Sequence, residues 1–326
     1  MAMYINLSIK TLILPEGVKK IGAEAFSYSD IEVLGLPASL KQVTDSTFSH
    51  MRDLQRIDLA SGNTALIIRD KALLTADGKR LLVLPARSDV DRFDVPVGVK
   101  IIGDGAFEGH PTLTSITLPD GVQIIGKGAF KELHALREEI ILPTSVRRIG
   151  DDAFLGYQPS SITLPEGLET IGQSAFQEAK LKSVHVPDTV TKIGHSAFAR
   201  NDVLQEVKLS GKMQTLPWLL FDGCTALRDV VIPHGVEEIS EKAFSGCKDV
   251  VIHIPDTLTV VHPEAFKNAW TGEQGDLSTF TFAGGESSPA RRIARKMGIN
   301  YVVDTSRRYI PTKPDGTKLK TPLPGR

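Results

Sequence analysis

The stretch LTSITLPDGVQIIGKGAFKEL, residues 113–133, decides the fold of this chain. Its I-T-L run alternates apolar and polar residues, which predicts a short strand with one buried face. Pro119 ends that strand because proline has no N–H to give to a ladder. The later V-x-x-I pair places two more apolar side chains inward, and Phe130, which follows a small alanine, fills the interior.

The same unit recurs along most of the chain. Its phenylalanines are separated by 22, 59, 23, 24, 22, 22, 23, 23 and 22 residues, and nine of the ten have a proline eleven residues earlier. With only 19 prolines in the chain, chance does not give such a match. The phenylalanines are Phe26, Phe48, Phe107, Phe130, Phe154, Phe176, Phe198, Phe221, Phe244 and Phe266.

One unit of this length cannot bury its own apolar face, so units of this kind stack and bury a continuous core. We therefore predict a repeat solenoid of the leucine-rich-repeat type, with about ten coils of 22–24 residues that occupy residues 1–304 as one domain. The strands should form a parallel β ladder connected by short turns or 3-10 segments. The glycines that follow the V-x-x-I pair, such as Gly126 and Gly150, are interpreted as sites of left-handed turns.

These residues resemble the BspA-like leucine-rich repeats of bacterial and protist proteins. The resemblance rests on the pattern LP-x-x-V-x-x-IG-x-x-AF, which covers about residues 9–282. It implies cell-surface adhesion and the binding of proteins on host or neighbouring cells. It implies no particular ligand.

The gap of 59 residues between Phe48 and Phe107 exceeds the repeat and indicates an insertion at about residues 62–92. Within residues 65–86, Asp77-Gly78 separates two apolar runs, which predicts a β-hairpin whose second strand is closed by Pro85. The resemblance also implies such an insert. It is either an elaborated loop that covers part of the sheet or a protrusion that contacts a partner.

After the last phenylalanine, the pattern predicts a C-terminal cap at about residues 278–304. STFTFAG (278–284) has the pattern of a strand, and SSPARRIARKMGI (287–299) has that of a helix with Ser-Pro at its start and glycine at its end. Residues 305–326 hold six basic residues against one acid and are predicted to be a flexible basic tail.

The alternation within each strand predicts two outward rows of side chains, lying two and four residues before each proline. Both rows mix polar, small and apolar types, which suits contact with a protein or a glycan. The candidate binding face comprises Arg92, Asp94, Thr117, Thr163, His185, Lys208 and His253.

A further outward row follows each proline by four and five residues and is basic through the N-terminal half. We name it the basic stripe; it comprises Lys19, Lys20, Lys41, Lys100, Arg147 and Arg148. Such a stripe can steer an acidic partner. The alternative is an ordinary solvated face.

The composition and motifs give no indication of catalysis, a cofactor or a metal. A net charge of −1 gives no reason to expect nucleic acid as a partner, and no apolar run approaches the ~20 residues that span a bilayer. There is no G-x-S-x-G, H-E-x-x-H, P-loop or G-x-G-x-x-G motif. His185 and His253 share one row but are separated by three coils, so they cannot chelate one ion unaided.

Cys224 and Cys247 occupy equivalent positions 23 residues apart in adjacent coils. Their Cα atoms should lie within disulfide reach. Either they form a disulfide, or they are two buried free thiols stacked in the core, which is the interpretation we favour.

The sequence therefore predicts a non-catalytic, monomeric binding module for a protein or glycan. An intracellular scaffold and an enzyme with a loop-borne site are the alternatives. The first residues lack a secretory signal, so the protein is either cytoplasmic, or secreted or surface-bound with a signal that is not part of this sequence.

Overall fold

The computed structural model describes residues 9–44, 46–268, 273 and 275–304. Over these residues the chain is a parallel β-solenoid of about 12 turns with almost no helix, as the repeat predicts. The tail predicted at 305–326 lies outside the described residues. The chain divides into two compact units, Met1–Leu181 and Lys182–Arg326.

The N-terminal unit is built from strands of two to four residues. They are β1 (Thr11–Ile13), β2 (Lys20–Ile21), β3 (Val33–Leu36), β4 (Gln42–Val43), β5 (Arg56–Leu59), β6 (Leu66–Arg69), β7 (Ala72–Thr75), β8 (Arg80–Val83), β9 (Arg92–Asp94), β10 (Ile101–Ile102), β11 (Ser115–Thr117), β12 (Ile124–Ile125), β13 (Arg148–Ile149) and β14 (Thr170–Ile171).

The C-terminal unit continues the pattern and adds a helix. Its elements are β15 (Ser183–His185), β16 (Lys192–Ile193), β17 (Glu206–Lys208), β18 (Thr215–Leu216), β19 (Asp229–Val231), β20 (Glu238–Ile239), β21 (Val250–His253), β22 (Val260–Val261), a 3-10 helix (Leu277–Thr279), β23 (Phe280–Gly284), α1 (Pro289–Met297) and β24 (Asn300–Val303).

The strands that precede the prolines form the predicted parallel ladder, which we call the first ladder. In the N-terminal unit it consists of β1-β3-β5 and of β9-β11. In the C-terminal unit it runs β15-β17-β19-β21-β23-β24, with His185 opposite Lys208 and Lys208 opposite Val231. The three-residue strands β9, β11, β15, β17 and β19 each bury their central side chain, so burial alternates there as the sequence predicts.

A second parallel ladder follows the prolines and was not predicted. It includes β2-β4 and β10-β12-β13-β14 in the N-terminal unit and β18-β20-β22 in the C-terminal unit. Each of these strands is two residues long. A strand so short shows no alternation, so the V-x-x-I pattern indicates burial without indicating a ladder.

The phenylalanines stack along the core of each unit. In the N-terminal unit the ring centroids of Phe107 and Phe130 are 5.4 Å apart, and those of Phe130 and Phe154 are 5.2 Å apart. In the C-terminal unit Phe221 and Phe244 are separated by 5.5 Å. These spacings suit offset aromatic packing, so one phenylalanine in each coil keeps the register of the stack.

The interpretation of the glycines after the second ladder was wrong. Gly126 and Gly150 do not have positive φ angles. A Cβ on Gly150 would lie 2.7 Å from the carbonyl carbon of Gly126, so the position needs glycine because adjacent backbones approach closely. The left-handed positions lie two residues before and after Phe130, at Gly128 (φ 60°) and Glu132 (φ 56°).

The predicted hairpin is confirmed and is larger than expected. The strands β7 and β8 are antiparallel around the Asp77-Gly78 turn, and β6 pairs with β7 through a two-residue turn at Asp70-Lys71, where both φ angles are positive. The strand β8 then pairs in parallel with β10. The insert, β6-β7-β8, is therefore a meander built into the second ladder.

The solenoid has more turns than the phenylalanine count indicates, because two regions lack the marker. After the insert, Leu84 donates its N–H to the Ala106 carbonyl as Phe107 donates to Ala129, so Leu84 replaces phenylalanine. The predicted cap adds the strands β23 and β24 to the first ladder. Its helix begins at the Ser288 N-cap and ends at Gly298 (φ 76°), as predicted.

Candidate recognition surfaces

The first ladder of the N-terminal unit exposes the predicted face residues. Arg92 and Asp94 lie at the ends of β9, and Thr117 lies opposite Asp94 on β11. Thr163 follows in a coil segment that forms no strand, and all four residues are exposed.

The polar groups of this face bond largely to one another. The Ser115 hydroxyl and the Arg92 guanidinium donate to the two carboxylate oxygens of Glu138, at 2.7 and 3.1 Å. These contacts, the Ser115 hydrogen bond first, hold the pKa of Glu138 below its usual range. The Thr163 N–H and hydroxyl donate to Glu139 at 2.8 and 3.1 Å. Much of the hydrogen-bonding capacity of the face is therefore already used.

In the C-terminal unit, His185 and Lys208 are exposed, as predicted. The prediction of an outward His253 was wrong: its side chain is only 8% exposed. Its Nδ1 lies 2.7 Å from Asp304 and its Nε2 lies 3.4 Å from Asp229. Asp304 directly follows β24, so the C-terminal cap encloses this histidine.

The basic stripe lies along the second ladder of the N-terminal unit. Lys20 and Arg148 lie within β2 and β13, and the other four cations directly precede β2, β4, β10 and β13. Lys41 donates to the Thr64 hydroxyl, and Arg147 donates to the Thr144 and Val146 carbonyls. Within the described residues, none of the six stripe cations forms an ion pair, and five of the six are exposed.

The insert adds two cations to this surface that sequence reasoning missed. The Lys79 carbonyl accepts the N–H groups of Lys100 and Ile101, and Arg80 lies opposite Ile101 in the ladder. Both cations therefore continue the stripe. The available signal was the Lys-Arg pair directly after the Asp77-Gly78 turn, which could be placed only once β8 was known to join the ladder.

A cleft of about 430 Å³ lies between the insert and the stripe. Lys79, Arg80 and Lys100 line it together with Asp77. The Asp77 carboxylate accepts the Thr75 hydroxyl at 2.7 Å and the Lys79 N–H at 3.0 Å, and these bonds lower its pKa. The carboxylate thus serves the turn and also lies 3.9 Å from the Lys79 ammonium, so Lys79 is already ion-paired; Arg80 and Lys100 are the other cations that line the cleft.

The remaining chemically distinctive groups lie in the core. Cys224 and Cys247 are free, buried thiols, as favoured from the sequence, and each donates to the carbonyl of a phenylalanine in the preceding coil at 3.1 Å. Burial raises the pKa of Cys224 to about 12. Among the described residues, no group of three or more His, Cys, Asp or Glu side chains is placed to hold a metal ion. No helix in the described ranges is long and apolar enough to span a membrane.

These observations define a leucine-rich-repeat type β-solenoid with polar outer rows. The chain belongs to the BspA type leucine rich repeat family, whose profile matches six copies over residues 2–73, 86–202 and 147–271. A search of curated proteins finds no match.

The chain is also similar, at low sequence identity, to solved structures of bacterial leucine-rich repeat proteins. A leucine-rich repeat protein from Eubacterium ventriosum is 17% identical, with 94% of this chain and 68% of that chain covered and a TM-score of 0.42. A leucine rich cell surface protein from Faecalibacterium prausnitzii is 20% identical (86% and 89% covered, TM-score 0.42). The T. pallidum Leucine Rich Repeat protein is 21% identical (74% and 97% covered, TM-score 0.48).

Proposed function

We propose that the chain is a non-catalytic recognition module that binds an acidic partner, protein or glycan, through the basic stripe and the adjoining insert of its N-terminal unit. The observation that carries the proposal is a row of six cations that form no ion pair with a described residue and that lead to a cleft lined by two further cations, of which Lys79 pairs with Asp77. The chain as a whole has a net charge of −1, so these cations are concentrated locally.

The hydrogen bonds that the polar groups already form favour the stripe over the first-ladder face as the binding surface. On that face, Arg92, Ser115 and Thr163 already bond to Glu138 and Glu139, so a ligand would have to displace these contacts. On the stripe, Lys41 and Arg147 donate to neutral hydroxyl and carbonyl oxygens, which are weaker acceptors for a cation than a carboxylate, a sulfate or a phosphate. Unpaired cations on a rigid ladder also steer an acidic partner toward the surface.

Family membership supports a recognition role and a location at the cell surface, with adhesion as the biological context. An intracellular scaffold is the second candidate, and cell fractionation separates the two. Recovery of the native protein only in cytosol would overturn the surface location. An enzyme would need a converging acid, base or nucleophile, and the sequence carries no motif of that kind.

Charge reversal on the stripe is the direct test. We expect the triple substitution Lys20→Glu, Lys100→Glu and Arg148→Glu to weaken binding to immobilised heparin and to polyglutamate at least tenfold, measured by surface plasmon resonance. Binding should also weaken with added NaCl because exposed charges are screened. The two probes distinguish an anionic glycan from an acidic polypeptide.

The matched control reverses three exposed lysines of the C-terminal unit, Lys182, Lys208 and Lys212. It carries the same change in net charge and should alter binding less than threefold. Equal losses in the two variants, or no binding of either probe by the unmodified protein, would overturn the proposal.

The insert needs a point substitution, because deletion of residues 65–86 would remove β8 from the ladder. Lys79→Glu places a carboxylate in the cleft, and it should weaken the binding of whichever probe the stripe binds about threefold or more. Unchanged affinity would remove the insert from the binding surface.

A further inference from the structure

The C-terminal helix α1 carries four cations and no acid in nine residues. Its inner face is buried through Ala290 and Ala294, which pack on the cap. Ile293 and Met297 are half-buried beside it. Since these two residues are one helical turn apart, they form a short apolar stripe along one side of the helix.

That apolar stripe forms one wall of a groove of about 760 Å³. The opposite wall comes from β22, the last strand of the second ladder in the described part of the C-terminal unit. Val260 of this strand is 49% exposed; it occupies the outward position, five residues after the proline, that Lys20 and Arg148 hold in the basic stripe. The apolar residues of the groove are Val260, Val261, Pro263, Leu277, Ile293 and Met297.

Two cations line the same groove. Arg292 and Lys296 lie one turn apart, directly beside the apolar stripe, and both are exposed. Neither forms an ion pair with a described residue, whereas Arg291 donates to the Glu286 carbonyl and lies 6.0 Å from the centre of the Tyr301 ring. Among the described residues, no carboxylate lines the groove. Its chemistry is therefore apolar in the middle and cationic along the helix.

We propose that this groove binds a short acidic, amphipathic peptide segment of a partner protein, at a site separate from the basic stripe. Apolar side chains of the peptide would lie between β22 and α1, and its carboxylates would pair with Arg292 and Lys296. Burial of apolar area would supply affinity, and the charge pairs would supply orientation and selectivity.

The two sides of the groove differ in charge, and the peptide must match this difference. Glu238 is the ladder neighbour of Val260, so the strand side of the groove has a carboxylate nearby. A peptide with acids on both edges would be repelled there. The favoured ligand therefore carries its acids along one edge and apolar or neutral residues along the other.

The test uses the full chain and a fluorescein-labelled peptide of 12 residues that alternates leucine with glutamate, followed by fluorescence anisotropy. We expect Arg292→Glu and Lys296→Glu each to weaken its binding at least fivefold. Ile293→Ser should weaken binding of the acidic peptide and of a version in which glutamine replaces glutamate. Circular dichroism and thermal unfolding of each variant verify that the cap stays folded.

Arg295→Glu is the matched control, because Arg295 lies on the same exposed helix and does not line the groove. It should leave affinity within twofold. If Arg292→Glu and Arg295→Glu weaken peptide binding equally, the loss reflects the overall charge of the helix. That result would overturn the groove as the binding site. Failure of the peptide to bind, or binding of anionic phosphatidylglycerol vesicles in its place, would also overturn the proposal. Lys100→Glu in the stripe should leave this affinity unchanged, which separates the site from the proposed function.

Discussion

At the residue scale, glycine has two separate uses in the coils. Gly128 provides a positive φ, whereas Gly150 lets two coils touch. Both kinds of glycine recur at a fixed spacing in the sequence, so the repeat pattern alone cannot distinguish them. The distinction has energetic consequences, because a left-handed position tolerates residues such as Glu132 at modest cost, and a backbone contact of 2.7 Å tolerates no Cβ.

We expect Gly150→Ala to lower the free energy of unfolding by about 2–3 kcal/mol, because its methyl group would overlap the backbone of the preceding coil. Gly22 has the equivalent place in the first coil, and its Cβ would meet nothing within 4 Å. Gly22→Ala should therefore change stability by less than about 0.5 kcal/mol. Urea unfolding followed by circular dichroism measures both. A loss of similar size for the two would show that backbone contact is not the reason for glycine.

His110 gives a prediction for pH dependence. It is fully buried, its Nε2 lies 3.3 Å from the Ser88 hydroxyl, and its Nδ1 has no hydrogen-bond partner among the described residues. Burial, with Arg87 as a smaller cause, lowers its pKa from 6.5 to about 4. Between these values the unfolded chain takes up a proton that the folded chain does not, so stability falls as the pH falls from 6.5 toward 4.

We expect this histidine to remove up to about 3 kcal/mol of stability over that range. His110→Gln should abolish that part of the pH dependence, measured as the difference between urea unfolding at pH 7 and at pH 4.5. His134→Gln, at an exposed histidine of the same unit, is the control and should retain the wild-type slope. An unchanged slope in His110→Gln would contradict the assignment.

At the element scale, the insert and the cap both extend ladders that the repeat has already built. The insert satisfies its backbone through β10, and the cap satisfies its own through β21. The cap is held further by a side-chain contact, since His253 on β21 lies 2.7 Å from Asp304, which follows β24. This contact spans the three terminal strands of the first ladder.

We expect His253→Ala to loosen the cap, because it removes a buried hydrogen bond to a carboxylate that is itself only 7% exposed. The predicted cost is about 2 kcal/mol in stability, with faster hydrogen exchange confined to β24 and α1. His185→Ala, at an exposed position of the same ladder, should change neither quantity. If the amides of the cap exchange equally slowly in both variants, the apolar contacts of α1 hold the cap in place without the histidine.

At the scale of the whole molecule, the solenoid separates stability from recognition. The core is a stack of Phe, Leu, Ile and Val at the same places in successive coils, whereas the residue types at the outward positions differ from coil to coil. Variation has produced a self-paired polar face, a cationic stripe and an apolar groove with cations on one edge. The two proposed sites lie in different units and can be tested independently.

The sequence by itself determined the class of fold, the strand before each proline, the hairpin turn at Asp77-Gly78 and the caps of α1. These features follow from local spacing and local backbone chemistry, both of which can be read directly from the sequence. Only the tertiary structure decided that the second row is a ladder, that Gly150 marks a contact and that His253 is enclosed. It also decided that Lys79 and Arg80 join the stripe. Each of these depends on which coil lies beside which, and residues far apart in the chain come together only when the coils stack.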